Sequence, residues 1–302
     1  MASPRLANLQ NLQMPATEAN VPAAARQRAE TGLPWWVSAG LVAGTFVVLA
    51  LLERRRPLRR TVEPALQRTT RNFAIAALGA AAVHLTEAPI VSRVADLVQR
   101  RRWGLLKRLP LPSWLERAAA LLLMDYTLYV WHILTHRVPF LWRFHAVHHI
   151  DLDLDAATAV RFHFGELALS TPWRAAQIAC IGVSPRALSI WQTALLMSIL
   201  FHHSNVRLPA RWERRLARLL VTPRMHGIHH SIVRAETDSN WSSGLAIWDR
   251  LHGTWRLDVP QAAITVGLPA FQDPCDVSLP KMIALPFQAD VLRLALPQTD
   301  GA

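Results

Sequence analysis

Cysteine is scarce in this sequence of 302 residues, where it occurs only at Cys180 and Cys275. Two thiols so far apart cannot build a disulfide framework, and they do not form a C-x-x-C metal motif. Cysteine usage therefore gives no indication of an oxidising compartment.

Charged residues are also few, at 18% of the chain compared with roughly 25% in soluble domains. Hydrophobic residues make up 51%, and the mean hydropathy is positive at +0.16. This balance excludes a disordered chain, a coiled coil and a collagen-like polymer, and it does not fit an ordinary soluble globular protein.

Lysine is nearly absent, yet the chain is strongly basic. It has 33 basic and 21 acidic residues, a formal net charge of +12, and lysine only at Lys107 and Lys281. Arginine clusters at 54–60, 100–102 and 211–218 flank apolar stretches, as expected of a chain that lies on an anionic membrane surface. We therefore expect a membrane and not a nucleic acid as partner.

Long apolar segments support the membrane assignment. Residues 35–52 carry no charge over 18 positions, close to the roughly 20 residues that a helix needs to cross a bilayer. Trp35 and Trp36 stand where an interfacial aromatic belt would lie, and Arg54 ends the segment, which favours an uncleaved anchor over a signal peptide. Four less apolar segments are further candidate helices: 72–92, 114–134, 165–184 and 187–201.

The order of these segments leaves the membrane topology open. The loops 53–71 and 93–117 each hold seven basic residues, and both cannot be cytoplasmic if 72–92 crosses the membrane once. Either 72–92 is a re-entrant or interfacial helix, or one loop departs from the positive-inside rule. Within 72–92, His84 and Glu87 are expected to form a local polar pair.

Composition divides the chain into four parts. We expect a mobile tail over 1–33, transmembrane helices with basic loops over 34–113, a histidine-containing domain over 114–258, and a proline-rich strap or tail over 259–302. The expected fold is all-α, an integral-membrane helical bundle.

Histidine is abundant, and eleven of the thirteen histidines fall between 132 and 230. His132 and His136 are four residues apart, and Pro139 is expected to break their helix. Two H-x-x-H-H triplets follow, consisting of His145, His148 and His149, and then of His226, His229 and His230. Positions i, i+3 and i+4 share one helix face, so each triplet can direct three imidazoles towards one point.

Such converging imidazoles are typical of a metal site. With His203, which has His202 beside it, the set reaches nine, too many for one tetrahedral ion, and two ions with five or six ligands each fit better. Imidazole suits iron, zinc, copper and nickel alike, so the ligands alone do not select the metal. For His163 and His202 two roles stay open, a metal ligand or a partner that orients one. Polar residues near these histidines are expected either to orient ligands or to cap helices: Asp125, Asp151, Asp155, Glu166, Asp238 and Asn240.

The same residues carry a resemblance to a known family. The stretches LLMDYTLYVWHILTH, PFLWRFHAVHHID, TAVRFHFGE, FHHSNVRLP, TPRMHGIHHS and NWSSGLAIWDRLHGTW resemble the fatty acid hydroxylase superfamily, also called the sterol desaturase family. The resemblance covers about 120–257, nearly half the chain. Phe164 replaces a proline of the family pattern, while Ser242 and His252 stand where the family often has glycine and phenylalanine.

The resemblance implies an integral-membrane di-iron enzyme that uses O₂ to hydroxylate or desaturate a lipid. It implies that 114–258 is the catalytic domain, and that a helical cap on the cytosolic face of the bundle holds the di-metal site. Its ligands would be the nine histidines at 132, 136, 145, 148, 149, 203, 226, 229 and 230, with two iron ions and no side-chain general base. It also implies an external electron donor, such as a ferredoxin, a cytochrome or a reductase. The arginine bias points to a GC-rich bacterial genome, hence to a bacterial inner membrane with the site facing the cytoplasm.

Two other classes remain as hypotheses, a membrane metal transporter and an inactive relative that binds lipid. Transporters place their ligands at the bilayer midplane in broken helices, whereas these histidines lie at helix ends beside arginine-rich loops. The complete set of closely spaced histidines disfavours an inactive relative, because a protein without activity would have no reason to keep it. The sequence does not identify the lipid and does not separate hydroxylation from desaturation.

Overall fold

Helices form all the regular structure in the part of the chain that the computed structural model describes, residues 31–289, 291 and 292. The only strand-like pairings among these residues are three isolated β-bridges. The all-α prediction is confirmed. Most of the tail expected over 1–33, and the last residues of the expected strap, lie outside the described residues.

Three helical stretches in the described residues are long and apolar enough to cross a membrane: Trp35–Arg55, Ala65–Arg108 and Ser113–Arg137. The first is α1 (Trp35–Arg55). The second consists of α2 (Ala65–Ala82), a π-helical turn (Val83–Glu87), α3 (Ala88–Arg101) and a 3₁₀ turn (Leu106–Arg108). The third is α4 (Ser113–Arg137), and Pro139 follows it as predicted, at the first position of the next helix.

Eight further helices lie in the described residues, two of them long. The long pair is α6 (Phe164–Ile181) and α7 (Pro185–His203), which correspond to the last two candidate segments. The shorter helices are α5 (Pro139–His149), α8 (Ala210–Leu216), α9 (Pro223–His229), α10 (Arg234–Thr237), α11 (Ile247–Leu251) and α12 (Leu279–Ala284). Three more 3₁₀ turns cover Thr158–Val160, Pro274–Val277 and Leu285–Phe287.

Helices α1, α4 and α7 end at the same end of the bundle, which we call the site end. Near the beginnings of α1 and α7, the Leu33 amide donates to Ser189 Oγ at 2.8 Å. Where α1 and α7 end, the Asn205 amide donates to Glu53 Oε1 at 2.7 Å, so the two helices run parallel. The histidines of α4 and α7 therefore reach the same end of the bundle.

The basic loop after α3 lies at the opposite end. Its Leu105 amide donates to the Cys180 carbonyl at 2.8 Å, where α6 finishes. Gly182 ends α6 with a φ of +90°, and Gly104 lies so close that a Cβ on it would meet Gly182 Cα at 2.3 Å. Glycine at both positions allows this approach.

The shape of the segment 72–92 bears on the membrane topology. The segment is the middle of a helix that is continuous over Ala65–Arg101, about 55 Å at 1.5 Å per residue, and it forms no re-entrant turn. The basic loops 53–71 and 93–117 therefore lie at opposite ends of the bundle. Which loop faces the cytoplasm stays a prediction.

The expected pairing of His84 with Glu87 is wrong. His84 is exposed, whereas Glu87 is buried and accepts a hydrogen bond from Ser170 at 3.1 Å. Its ion-pair partner is Arg174 of α6, with Nε 3.6 Å from Glu87 Oε1. The π-helical turn changes which residues share a face, so the three-residue spacing no longer brings the two side chains together.

The first turns of α2 are held to the loop after α5 by buried charges. Arg68 is 1% exposed and donates to Asp151 Oδ2 at 3.1 Å, and it also pairs with Asp155. Asn72 donates to the same carboxylate oxygen at 3.1 Å. Burial raises the pKa of Asp151, but Arg161 and Arg68 outweigh burial and hold the pKa below its usual range.

Residues of the expected strap pack against the helix that carries the first histidine triplet. Leu268, Val277 and Met282 are fully buried and share a hydrophobic cluster with Trp142 and Ile150. The Arg143 guanidinium also donates to the Pro286 carbonyl at 3.2 Å. The division of the chain into four parts stays a prediction.

Candidate metal centre

Four helices bring histidines to the site end. His132 and His136 lie in the last turns of α4, the first triplet ends α5, His203 ends α7, and the second triplet ends α9. Pro139 and Pro223 occupy the first positions of α5 and α9, where a missing amide proton costs nothing. Each triplet therefore lies at the end of a short helix that begins at a proline.

Eight of these imidazoles form two groups. In each group, one nitrogen from every ring lies within 4.8 Å of the corresponding nitrogens of the others. Group one contains His132, His136, His149 and His229, and group two contains His148, His203, His226 and His230. All are buried except His136, which is partly exposed.

The nitrogens of group two lie close enough to share one cation. His203 Nε2 is 2.9 Å from both His148 Nε2 and His226 Nε2, and His226 Nε2 is 3.1 Å from His230 Nε2. Ligands that each lie about 2.1 Å from one ion are separated from their neighbours by roughly 3.0–3.4 Å. These four side chains fit a metal ion.

Backbone carbonyls orient four of the eight rings. Nδ1 of His132 lies 2.7 Å from the Trp241 carbonyl, and Nδ1 of His229 lies 2.9 Å from the Ser239 carbonyl. In group two, Nδ1 of His148 lies 3.1 Å from the Arg161 carbonyl, and Nδ1 of His203 lies 2.9 Å from the Ile199 carbonyl. A carbonyl only accepts, so each Nδ1 carries the proton and each Nε2 keeps its lone pair for a cation.

Burial favours the same neutral state. It lowers the pKa of both His203 and His229 to about 3, and it also lowers the pKa of His226 and His230. At neutral pH these imidazoles are uncharged, as metal ligation requires. Several inward nitrogens have no partner among the described residues, including Nε2 of His136, His149 and His229.

Each triplet is divided between the two groups and does not converge on one point as the spacing suggested. In the second triplet, His226 and His230 belong to group two and His229 to group one. In the first triplet, His149 belongs to group one and His148 to group two. Successive residues of a helix point in directions about 100° apart. The two adjacent histidines that end each triplet therefore point to different groups.

His145 and His202 lie beside the groups. The His145 ring is 4.8 Å from the His136 ring and 5.3 Å from the His148 ring, and its Nε2 is buried without a partner among the described residues. The His202 ring lies 4.1 Å from that of His226, with Nδ1 likewise buried and unpartnered there. Ligation by either residue stays a prediction.

His163 lies apart from both groups. Its Nδ1 accepts a hydrogen bond from the Gly165 amide at 2.9 Å, so His163 caps the first turn of α6. Its Nε2 lies 3.3 Å from the Ile283 carbonyl and its ring 5.5 Å from that of Phe144. Both ring nitrogens are engaged, which leaves no lone pair for a metal in this arrangement.

Among the six polar residues expected to orient ligands or cap helices, Glu166 contacts an imidazole. Its Oε1 accepts from His145 Nδ1 at 2.8 Å. Asp125 accepts from Trp248 Nε1 at 2.7 Å, and Asp238 pairs with Arg137 at 3.1 Å. Asp155 accepts from the Ala157 amide, Asp151 belongs to the buried ion cluster, and Asn240 bridges backbone groups near Met225 and Arg256.

Asp249 is a residue that sequence reasoning missed. It is fully buried and accepts from the Trp241 amide at 2.8 Å and from the Ser242 amide at 3.1 Å. Trp241 in turn supplies the carbonyl that fixes the His132 ring. The resemblance included Asp249 within the stretch WDRLHGT, but backbone contacts of this kind leave no spacing pattern in a sequence.

Comparison with known proteins agrees with this centre. The profile of the fatty acid hydroxylase family matches residues 117–254, which include all eight imidazoles of the two groups. Over these residues, the chain is similar to the fatty acid hydroxylase family. The resemblance found in the sequence is confirmed.

Curated relatives are similar to this chain over about half of its length. Ornithine lipid hydroxylase OlsE of Rhizobium tropici is 31% identical over 158 residues, 52% of this chain and 46% of the relative. Human alkylglycerol monooxygenase is 30% identical over 46% of this chain and 30% of its own length. Mouse cholesterol 25-hydroxylase is 28% identical over 45% of each protein.

These matches span less than half of each of the three relatives. No solved structure gives a significant match to the chain.

Proposed function

We propose that this protein is a membrane-bound, O₂-dependent lipid hydroxylase whose two histidine groups hold two iron ions. The observation that carries the proposal is the pair of buried four-imidazole groups at the end of a bundle with three candidate membrane spans. The matched family and the hydroxylase and monooxygenase names of the relatives support the same reaction class.

Iron bound in the two groups would supply the O₂ activation that no amino-acid side chain provides. The chain supplies neutral ligands, so the ions keep their positive charge, and carbonyl contacts hold the rings in place before a metal binds. Trp142 and Trp241, each 2% exposed, flank group one, with rings 4.8 Å and 4.7 Å from the His136 ring. Such burial keeps bulk water from the reacting groups.

A membrane lipid is the proposed substrate. The relatives are named for an ornithine lipid, an alkylglycerol and cholesterol, so their shared property is a lipid and not one headgroup. The same names favour hydroxylation over desaturation for this chain. A lipid can approach from the bilayer without first being transferred through water.

We also propose a separate electron donor, a ferredoxin, a cytochrome or a reductase, and a bacterial inner membrane with the site end facing the cytoplasm. The arginines of 54–60 and 207–218 lie on the site-end side of their helices, as positively charged cytoplasmic segments do.

Comparative lipid mass spectrometry tests the reaction. Cells that express the chain should contain a lipid species heavier by one oxygen atom, about 16 mass units, than a species in control cells. His148→Ala should abolish this product and lower the iron content, because His148 belongs to group two. His84→Ala is the matched control, since His84 is exposed on the π-helical turn.

Two results would contradict the proposal. The first is full iron content in the His148→Ala protein. The second is an unchanged lipid profile in cells that hold iron-loaded wild-type protein together with a working electron donor.

A further inference from the structure

Three arginines surround a surface pocket of about 230 Å³ that the metal centre does not use. Arg214 lies on α8, Arg218 in the turn after it, and Arg250 on α11. Trp255 and Leu257 form the remaining wall. The pocket thus explains part of the arginine cluster at 211–218, which the proposed reaction leaves without a role.

Backbone pairing builds this pocket from two distant segments. The Ala246 amide donates to the Leu219 carbonyl at 2.9 Å, and the Val221 amide donates to the Gly244 carbonyl at 3.1 Å. Trp255 Nε1 donates to the Ala217 carbonyl at 2.9 Å. The fold therefore fixes where the three arginines emerge, although their side chains are exposed.

The positive charge of the pocket is uncompensated among the described residues. The guanidinium groups of Arg214, Arg218 and Arg250 make no hydrogen bond or ion pair with the described residues, and only backbone groups of these arginines are paired. The nearby carboxylates have other partners: Glu213 pairs with Arg224, and Asp258 pairs with Arg256. Three cations around one pocket repel each other unless an anion enters.

The segment that carries Arg250 also contacts a candidate membrane span. Leu245 and Trp248 both donate to Asp125, at 3.0 and 2.7 Å, and Asp125 lies in the middle of α4. Around the arginines the surface is apolar, with Leu251 71% and Leu219 62% exposed. Arginine and tryptophan beside exposed leucine are typical of the boundary between hydrocarbon and water.

We propose that this arginine pocket binds the phosphate group of an anionic membrane lipid, with the lipid chains lying against Leu219 and Leu251. Guanidinium groups bind phosphate oxygens in pairs, and an unpaired cation beside a membrane span is costly without such a partner. The site is separate from the metal centre and does not depend on the proposed reaction.

Native mass spectrometry of the full-length protein in a neutral detergent tests the pocket with phosphatidylglycerol. The wild type should retain phosphatidylglycerol, and phosphatidylcholine with the same chains should be retained at least tenfold less. R214Q/R218Q should lose at least tenfold of the retained phosphatidylglycerol. R211Q/R215Q is the matched control, because it removes equal charge from the same segment while Arg211 and Arg215 stack on Trp212 and do not line the pocket.

Arg250→Gln removes the pocket arginine on α11 and should also lower the retention of phosphatidylglycerol. Because it changes the other segment, a folding defect in one variant does not decide the result. Equal losses in R214Q/R218Q and R211Q/R215Q would overturn the proposal, as would equal retention of phosphatidylcholine. Inorganic phosphate that displaces phosphatidylglycerol at equal concentration would show a site for free phosphate. Binding of an acidic electron-transfer protein that needs Arg214 and Arg218, without any effect of phosphatidylglycerol, would assign the pocket to a protein partner.

Discussion

At the scale of single residues, the metal centre depends on groups that hold the imidazoles as much as on the imidazoles themselves. Backbone carbonyls at Arg161, Ile199, Ser239 and Trp241 accept from ring nitrogens. The side chains of these four residues take no part in the contacts, because the acceptors are backbone carbonyl oxygens. A substitution can therefore disturb the contacts only by moving the backbone.

Asp249 offers such a substitution. Asp249→Asn puts an amide where a carboxylate now accepts from two backbone amides and from Thr254 Oγ1 at 2.8 Å. The Trp241 carbonyl should shift, and metal affinity should fall by about 10- to 100-fold, as on loss of groups that orient ligands. Metal retained during dialysis against a competing chelator measures the change.

The matched control is Asp258→Asn, because Asp258 is exposed and pairs only with Arg256 among the described residues. It should keep the wild-type affinity. An Asp249→Asn protein that retains metal as well as the control would show that Asp249 does not act on the centre.

The sequence predicted which histidines would gather, but not how they divide. The spacing placed His226, His229 and His230 on one helix face, and the structure keeps them within one short helix end. Their division between the two groups depends on where α4 and α7 end, which is a long-range property. His163 shows the same limit: its pattern left open a metal ligand or a partner that orients one, and the local turn uses it as a helix cap.

At the scale of elements, buried charges fix α2 against the loop that follows α5. Arg68→Met should leave Asp151 and Asp155 with fewer partners in a buried site. Breaking such a cluster costs about 3–5 kcal/mol in the free energy of unfolding. Denaturant unfolding in mixed micelles should show this loss.

Arg93→Met serves as the comparison, since Arg93 is exposed on α3. Surface changes of this kind alter the free energy of unfolding by less than about 0.5 kcal/mol. Equal midpoints for the two variants would show that the ion cluster does not hold α2. The hydropathy of 72–92 predicted a helix, but the charges that position α2 lie outside that apolar window.

At the scale of the whole molecule, labelling of the two cysteines can test the membrane topology. Cys180 is exposed where α6 ends, opposite the site end, and Cys275 is exposed in the segment that packs near α5. Helix α7 runs between them from the Cys180 end to the site end, parallel to α1, and we expect it to cross the membrane as α1 does. In sealed vesicles of one orientation, an impermeant maleimide should then label one cysteine and leave the other until the vesicles are opened.

Cys180→Ala and Cys275→Ala variants identify which thiol reacts. Labelling of both cysteines before opening would contradict an odd number of crossings between them. The sequence alone could not decide this, because both basic loops favour the cytoplasm by their charge.

The order of biosynthesis is constrained by the last triplet. His226, His229 and His230 contribute to both groups, and they leave the ribosome after every other ligand of either group. A nascent chain that stops before α9 holds three imidazoles of group one and two of group two. If the two groups hold iron as proposed, the ions would bind late, after insertion of the bundle and completion of α9.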